Sequence, residues 1–376
     1  MFVFFLILLG LLCLLLVVDF VLRHPFFIRL FYYGPSHYYY DRSPFIPKTM
    51  RHTPKVNVQA MVQGRLSYIQ GVPVCDAPVR FVTDRWGYRN VVSNNDPLPN
   101  TVVLGNCFVS ASKTAQEEIL SEQLKRKGYQ CYNISVDTIN LWEEVVDLKY
   151  HLATNPFLRE VKKVVWVIFE GNDVEGAYYP ETEPGQLVVS RWKQMSVVVE
   201  NYYKRSVLRR LCKMLFTKRE RPRGVVVCRK FFHEEMYFFE PYVRLMERTD
   251  GDIQRHPNAQ RIQELFSSLA GFASQRQLEI LTVYVPVKSR VYEWVLRGGE
   301  PWTSSGQISP GARFVEDLCA HNGFSFLDLT APLIQGAKKI FSEYGEVVFW
   351  RDDTHWNQEG IRIAVEQVEH VWRNRF

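Results

Sequence analysis

Residues 101–107 read TVVLGNC, an apolar run that ends in a glycine, an asparagine and a cysteine. Short runs of aliphatic and β-branched residues are typical of strands that are buried on both faces of a parallel sheet. A helix is predicted over residues 114–127, with Gly128 as its C-terminal stop. This order predicts one strand–turn–helix unit of an α/β fold, with Asn106 and Cys107 at the carboxyl end of the strand.

The alternation of strands and helices continues through the rest of the chain. Residues 164–173 read VVWVIFEGND, which predicts another buried strand with a polar turn after it. We also predict a strand and turn over 80–90, strands over 130–136, 278–287 and 324–329, and helices over 141–152, 314–321, 331–341 and 361–372. Together they predict a doubly wound, three-layer α/β sandwich with a mostly parallel sheet. Sites in such sheets form outside the carboxyl ends of the strands, where both polar turns fall.

Three short motifs follow one another in a fixed order. They are GNC at residues 105–107, EGND at 170–173 and DDTHW at 352–356. The order supplies a nucleophile, an amide that can stabilise an oxyanion, and a carboxylate–imidazole pair, which are the parts of an acyl-transfer site. Taken singly, each motif is a weak signal, because such residues also occur in ordinary turns, in surface ion pairs and as inert buried cysteines. Their order and their positions at strand ends together favour the catalytic interpretation.

These motifs resemble the SGNH (GDSL-like) hydrolase superfamily over residues 80–376, most closely its membrane-anchored and polysaccharide O-acetyltransferase-like branches. The similar stretches are VVLGNCFV at 102–109 (first block, usually Gly-Asp-Ser-Phe), VIFEGND at 167–173 (third block, Gly-x-Asn-Asp), DTHWN at 353–357 with Gly360 (last block), and VYVPVK at 283–288 with Val291 and Tyr292. The resemblance implies an SGNH-like fold and an ester hydrolase or acyltransferase.

Two departures from the family pattern concern the nucleophile and the oxyanion hole. Asn106 and Cys107 stand where the first block usually has Asp and Ser. Residues 133–138 occupy the second block and offer no glycine, whose backbone N–H usually joins the oxyanion hole. The thiolate is a strong nucleophile at neutral pH, so the first departure retains a reactive group.

The resemblance assigns each catalytic role to a residue of this chain. Cys107 would be the nucleophile and His355 the general base and acid, oriented by Asp353, with Asp352 as the alternative. Asn172 would stabilise the oxyanion together with the backbone N–H of Cys107. The supporting residues are Asn106, Gly171 and Asp173, and Ser110 and Ser112 are fallback hydroxyls.

Two functions of different classes follow. The first is a membrane-anchored ester hydrolase or O-acyltransferase that acts through an acyl-enzyme on Cys107, with an acylated polysaccharide or another ester as substrate. The second is an inactive SGNH-like module that binds an acylated glycan or a partner protein, since altered sites often keep their shape. The seven cysteines show no zinc-ligand spacing, and the sequence implies no metal or organic cofactor.

Residues 2–18 form an unbroken apolar run, which predicts a membrane anchor rather than a buried helix. No small-residue cleavage site follows it, so a retained single-pass anchor is favoured over a cleaved signal peptide. We assign 1–33 to the anchor and an aromatic interfacial segment, 34–79 to a connector and 80–376 to the SGNH-like domain. Arg23 and Arg29 follow the span, and the positive-inside rule then favours a cytoplasmic domain. The family resemblance favours the opposite side, and we expect an extracytoplasmic domain.

A basic insertion near residues 201–223 holds nine Lys or Arg side chains and one acid, while the whole chain has a net charge of +6. The apolar residues Val207, Leu208, Leu211 and Leu215 follow helical spacing, which predicts a basic amphipathic helix. Such a helix could lie on anionic lipid or bind an acidic polymer, or it could be a solvated helix that covers the sheet. No nucleic-acid-binding module surrounds it, so nucleic acid is not expected as a partner.

Overall fold

The computed structural model describes residues 2–23, 38–43, 49–71, 76–92, 96–137, 140–174, 191–216, 226–303 and 307–374. The strands there are β1 (Tyr40–Arg42), β2 (Met50–His52), β3 (Asn57–Gln63), β4 (Asp76–Val82), β5 (Thr101–Leu104), β6 (Cys131–Asn133), β7 (Lys163–Phe169), β8 (Val226–Phe231), β9 (Glu234–Phe239), β10 (Glu279–Val285) and β11 (Ser325–Asp328).

The α-helices in the same ranges are α1 (Phe2–Leu22), α2 (Arg65–Gln70), α3 (Cys107–Ser110), α4 (Leu120–Arg126), α5 (Leu141–Thr154), α6 (Arg191–Lys204), α7 (Val207–Phe216), α8 (Glu240–Arg244), α9 (Asp250–Gln254), α10 (Ala259–Arg276), α11 (Lys288–Val291), α12 (Glu293–Arg297), α13 (Pro310–Asn322), α14 (Thr330–Tyr344) and α15 (Gln358–Arg373). Short 3₁₀ helices lie at Gln116–Glu118, Pro156–Leu158 and Leu245–Glu247.

The central sheet has the strand order β6-β5-β7-β10-β11, and all of its pairs are parallel. The chain therefore starts in the sheet at β5, adds β6 on one side, and then builds outward from β7 on the other. The reversal of direction between β5 and β7 is the point at which doubly wound sheets bind their ligands. The predicted doubly wound fold is confirmed.

Helices cover both faces of this sheet because the strands are apolar on both sides. Val103, Val165 and Val167 belong to a buried cluster with α4, α14 and α15, whereas Val102, Val164 and Trp166 pack with α5, α10 and α13. Successive side chains of a strand point to opposite faces, which explains this division. Each apolar run predicted as a buried strand thus contributes to two cores.

Two predicted elements are shorter in the structure than in the sequence analysis. The helix expected over 114–127 is a 3₁₀ turn followed by α4, because Ile119 has an extended backbone that separates them. The strand expected over 130–136 ends at Asn133, whose side-chain Oδ1 accepts a hydrogen bond from the Ser135 backbone N–H at 2.7 Å. Such a side-chain turn competes with continued strand pairing.

The N-terminal part of the chain adds three features outside the sheet. β1 and β2 pair antiparallel, as do β3 and β4. α1 is long and apolar enough to cross a membrane, and only 6% of its most apolar window is buried, which disagrees with a core helix. Residues 26–33 of the expected interfacial segment, and residues 217–223 of the basic insertion, lie outside the described residues.

Candidate active site

Cys107 is the first residue of α3, immediately after β5. Gly105 before it has φ +155°, and a Cβ there would lie 2.6 Å from a methyl carbon of Val109, so the turn requires glycine. The Asn106 Oδ1 caps the helix by accepting a hydrogen bond from the Phe108 N–H at 3.0 Å. As the first residue of a helix, Cys107 has a backbone N–H with no intrahelical acceptor, and its side chain is only half-buried.

The Asn106 amide also joins the ends of β5 and β7. Its Nδ2 donates to Asp173 Oδ1 at 2.6 Å and to Asn172 Oδ1 at 3.2 Å. The Asn172 oxygen is thereby engaged, while its NH₂ group donates to no other described residue. That group therefore remains available beside Cys107 as a donor to a ligand.

Asp173 is a fully buried carboxyl beneath the site. It accepts a second hydrogen bond, from the Phe169 N–H at 2.6 Å. Burial raises the pKa of Asp173 to about 7, and the hydrogen bonds from Phe169 and Asn106 only partly oppose that rise.

Gly171 allows close packing at the end of β7. A Cβ at this position would lie 2.3 Å from the Phe169 ring and 2.8 Å from Cζ of Tyr242. The hydroxyl-bearing end of the Tyr242 ring therefore lies against the turn that presents Asn172. Burial raises the pKa of Tyr242, and the charge of Cys107 adds to the rise, so the phenol keeps its proton at neutral pH. The sequence analysis did not identify this residue.

Asp353 and His355 form a carboxylate–imidazole pair in which the carboxylate is buried and the imidazole is half-buried. The His355 Nδ1 lies 2.5 Å from Asp353 Oδ1, which also accepts hydrogen bonds from the backbone N–H groups of Thr354 and His355. The other carboxylate oxygen accepts from the Arg65 N–H at 2.6 Å. Burial alone would raise the pKa of Asp353, but the cationic imidazole, aided by Lys113, holds it well below its usual value.

The His355 imidazole lies between this carboxylate and the cysteine. Burial disfavours its protonated form, but the negative charges of Cys107 and Asp353 outweigh burial and raise the pKa of His355 well above its usual value. Its Nε2 is buried and makes no aligned hydrogen bond to the described residues. The ring also lies 4.9 Å from that of Phe108.

Asp352, the alternative orienter, points elsewhere. Its Oδ1 accepts a hydrogen bond from Lys113 Nζ at 2.6 Å and its Oδ2 from Ser67 Oγ at 3.1 Å. Both partners of the Lys113–Asp352 ion pair are buried. The close approach is possible because residue 64 is glycine, where a Cβ would lie 2.3 Å from the Asp352 carboxyl carbon. Asp353 thus contacts His355, and Asp352 fixes the turn before it.

Lys288 is a second buried cation behind the same turn. Its Nζ lies within 3.1 Å of the backbone oxygens of Tyr237, Trp350, Arg351 and Asp353. Burial lowers the pKa of Lys288 to about 7, against the opposing charges of Asp352 and Asp353. A lysine directly after the apolar β10 run was the sequence signal for this position, but its carbonyl partners could not be read from the sequence.

Further contacts connect the His355 turn and β10 to the nucleophile end of the sheet. The Trp356 Nε1 donates to the Phe108 backbone oxygen at 2.8 Å, which joins the His355 turn to α3. The Glu170 carboxylate forms an ion pair with Arg290 at 2.6 Å and accepts from the Val287 N–H at 3.0 Å. The last interaction ties the turn after β7 to the end of β10.

The second block and the fallback serines lie in structural roles, either hydrogen-bonded or buried. The Ile134 N–H donates to the Val103 oxygen at 3.0 Å, and the Ser135 N–H to Asn133. Both groups are thus committed away from an oxyanion. Ser110 is fully buried and its hydroxyl donates to Asp137, and Ser112 is buried as well. Thr138 lies outside the described residues.

With this geometry established, comparison with known proteins shows what the chain resembles. Residues 246–375 match the family model of the SGNH hydrolase-like domain of acetyltransferase AlgX. This match confirms the predicted resemblance to the acetyltransferase-like branch. It contains Lys288, Asp353 and His355, whereas Cys107 and Asn172 precede it.

Two solved structures also resemble the chain. One is a Bacteroides fragilis NCTC 9343 protein assigned as an acylhydrolase, with 10% identity and a TM-score of 0.37, covering 75% of this chain and 92% of that one. The other is the acetyl xylan esterase AlAXEase, with 11% identity and a TM-score of 0.35, covering 72% and 98%. A search of curated proteins finds no match.

Proposed function

We propose that this protein is a membrane-anchored ester hydrolase or O-acyltransferase that works through a thioester on Cys107. The observation that carries the proposal is the Asp353–His355 hydrogen bond beside a half-buried thiol at the start of α3. The charges of Cys107 and Asp353 outweigh burial and raise the pKa of the imidazole, so His355 is suited to take the proton of the thiol. The family model supports an ester-acting domain of this type.

The reaction balances with the groups present. The Cys107 thiolate attacks the ester carbonyl, and the resulting tetrahedral intermediate expels the alcohol as His355 gives it a proton. The product is a Cys107 thioester and a neutral imidazole. Water or an acceptor hydroxyl then attacks the thioester while His355 takes its proton, which releases the acid or a new ester and restores the thiolate.

The oxyanion would be stabilised by donors that the structure leaves available. The Cys107 backbone N–H and the Asn172 NH₂ are two of them. The Tyr242 phenol, whose ring lies against Gly171, is our third donor, in place of the absent glycine N–H. Preorganised donors of this kind act most strongly at sites shielded from water.

A second candidate is a non-catalytic module that binds an acylated glycan or a partner protein. The observation in its favour is that the second-block N–H groups of Ile134 and Ser135 are used elsewhere, so the usual oxyanion hole is incomplete. This function predicts ligand binding that is unchanged in Cys107→Ala. Binding lost in that variant would exclude it.

The proposed location is a bilayer spanned by α1 with the domain on the extracytoplasmic side. The exposed thiols of Cys212 and Cys228 provide the test, because a membrane-impermeant maleimide reaches them in intact cells only on that side. Labelling that requires broken cells would place the domain in the cytoplasm.

The deciding experiment is intact-protein mass spectrometry of the detergent-solubilised full chain after brief exposure to an activated acetyl ester. Wild type is compared with Cys107→Ala and His355→Ala, and Cys212→Ala is the control for an exposed thiol outside the site. An acetyl adduct that forms quickly, turns over, survives in the control and is lost in both site variants establishes the acyl-enzyme. Labelling that does not depend on His355 would overturn the proposal.

A further inference from the structure

Helix α6 has an arrangement of its faces that is unusual for a water-soluble protein. Its apolar side chains are exposed and share one face of the helix, and they are Trp192, Met195, Val198, Val199, Tyr202 and Tyr203. Trp192 alone is 82% exposed. The apolar face of a surface helix normally points toward the protein core, with polar residues outward.

The opposite face of α6 attaches the helix to the rest of the protein. Asn201 is buried there and exchanges two hydrogen bonds with the backbone of Arg42 in β1, at 3.0 and 2.9 Å. The Glu200 carboxylate on the same side forms ion pairs with Lys204 and Arg42. Since α6 is held by polar contacts, its apolar face is left outward and needs another apolar phase to cover it.

The C-terminal end of that apolar face lies next to the end of α1. The Arg23 guanidinium, which follows α1, lies 4.2 Å from the ring centre of Tyr202. The Asp19 carboxylate in the last turn of α1 accepts hydrogen bonds from Ser206 Oγ at 2.8 Å and from the Leu208 N–H at 3.0 Å. Asp19 therefore caps α7, and the junction of α6 and α7 lies at the level at which α1 would leave the hydrocarbon core.

Basic side chains at both ends of α6 suit an anionic membrane surface. Arg191 begins α6, and Lys204 and Arg209 follow its apolar face. The Arg209 guanidinium also lies 4.8 Å from the ring centre of Tyr203. Basic side chains beside exposed aromatic ones are typical of helices that lie at the boundary between headgroups and acyl chains.

We propose that α6 lies in the interface of the bilayer that α1 spans, with its apolar face inserted and with anionic lipid around Arg191, Lys204 and Arg209. The inference rests on the proposed anchoring by α1 and does not depend on the chemistry of Cys107. It gives the basic insertion a lipid partner. It also fixes the domain to the membrane at two places, the transmembrane helix and the interfacial one.

The tryptophans of the chain make this inference testable without a label. All nine are among the described residues, and Trp192 is the exposed one, the others being buried or half-buried. The full chain is reconstituted in vesicles of phosphatidylcholine and phosphatidylglycerol whose acyl chains are brominated at shallow or at deep positions. We expect bromine to quench part of the emission, most strongly from the shallow positions.

Substitutions identify the tryptophan that bromine quenches. Trp192→Phe should lose the bromine-dependent quenching, and the control Trp302→Phe should keep it. Val199→Glu changes an exposed position that does not support the fold, and it should weaken the quenching of Trp192. Replacing phosphatidylglycerol by phosphatidylcholine should weaken it also, because the attraction to Arg191, Lys204 and Arg209 is lost.

Two outcomes would overturn the inference. Wild-type emission that no bromine position quenches, in protein that resists alkaline carbonate extraction, would show that α1 is inserted and α6 does not touch lipid. Blue-shifted Trp192 emission without quenching would show that a protein surface covers the helix. Protein that carbonate extracts would instead contradict the proposed anchoring by α1, so the two failures are distinguishable.

Discussion

The turn that carries His355 and the strand end that carries Cys107 face each other, and they are held by different chemistry. Two buried cations fix the His355 turn, Lys113 through the Asp352 carboxylate and Lys288 through backbone carbonyls. Around Cys107 itself the strand end is fixed by a glycine turn and by hydrogen bonds of the Asn106 amide, without a lysine or arginine of the described residues bound to the turn. The family model covers the first region and stops short of the second.

This difference indicates which of the two regions tolerates amino-acid substitution. A turn held by desolvated ion pairs tolerates little substitution, because removal of one partner leaves a buried charge. At the other end, the Asn that replaces the usual Asp donates to the buried Asp173. A carboxylate at 106 would instead face Asp173 across hydrogen-bond distance. The asparagine at 106 is thus accommodated by its surroundings.

The largest effect is expected at Asp353, and its neighbour Asp352 provides the matched control. Asp353→Asn should lower the rate of acyl transfer by roughly 10⁴-fold, because the imidazole loses the partner that fixes its tautomer and stabilises its charge. Asp352→Asn should leave the turnover of the folded enzyme within about tenfold, because the Asp352 carboxylate binds Lys113 and Ser67 rather than the imidazole. Measurement of ester turnover for both variants tests whether Asp353 alone is needed for the rate. Equal losses would contradict the division of roles between Asp352 and Asp353.

The next effect concerns stability. Lys113→Met leaves the fully buried Asp352 carboxylate without its cation and should lower the free energy of unfolding by about 3–5 kcal/mol. Lys338→Met changes an exposed lysine on α14 and should stay within about 0.5 kcal/mol of wild type. Urea denaturation of the two variants measures this. A Lys113→Met variant as stable as wild type would refute the importance of the buried pair.

The oxyanion donors should show a smaller effect, and in the rate alone. Asn172→Ala should lower kcat by about 10²- to 10³-fold with little change in unfolding free energy, because the half-buried amide acts on the developing charge. Tyr242→Phe should lower kcat as well if the phenol replaces the second-block glycine. Steady-state kinetics with an activated ester checks both. A loss confined to KM would show that these groups bind substrate without stabilising the transition state.

The fold was predictable because its strands are buried on both faces. Apolar runs such as 101–104 and 164–169 carry that signal in their own composition, and the predicted α/β alternation follows from them. The helix over 114–127 was predicted too long because the extended backbone of Ile119 depends on tertiary packing. α6 was not among the predicted helices, although its apolar residues follow helical spacing.

The candidate site was predictable only where particular residue types form a motif in the sequence. Cys107, Asn172 and His355 follow strand ends or lie in a short motif, so their approximate positions could be inferred. The support of Asp353 by the Arg65 N–H could not, because a backbone group carries no residue-specific signal and lies 288 positions away. The sequence also left Asp352 and Asp353 as alternatives, and only the geometry distinguishes their contacts.

The smallest predicted effect tests the Asn106–Asp173 pair through pH. Burial raises the pKa of Asp173 from 3.8 to about 7, so the folded state binds this proton more tightly than the unfolded chain does. The contribution of Asp173 to the free energy of unfolding therefore falls as the pH rises from 3.8 to about 7. Asn106→Asp removes an amide donor and adds a second buried carboxyl, which should steepen the fall. We expect a cost of about 1–3 kcal/mol at pH 7.5 and little cost near pH 4.

The exchanged pair, Asn106→Asp with Asp173→Asn, separates charge from shape. It restores one carboxyl and one amide, so most of the stability lost at pH 7.5 should return. The Asn172 oxygen nevertheless loses the donor it has in the wild type, so the rate of acyl transfer should stay low. Urea denaturation at both pH values and ester turnover measure the two quantities separately. An exchanged pair as unstable as Asn106→Asp alone would show that the Cys107 end is sensitive to local shape, and the contrast with the ion-paired His355 turn would then be lost.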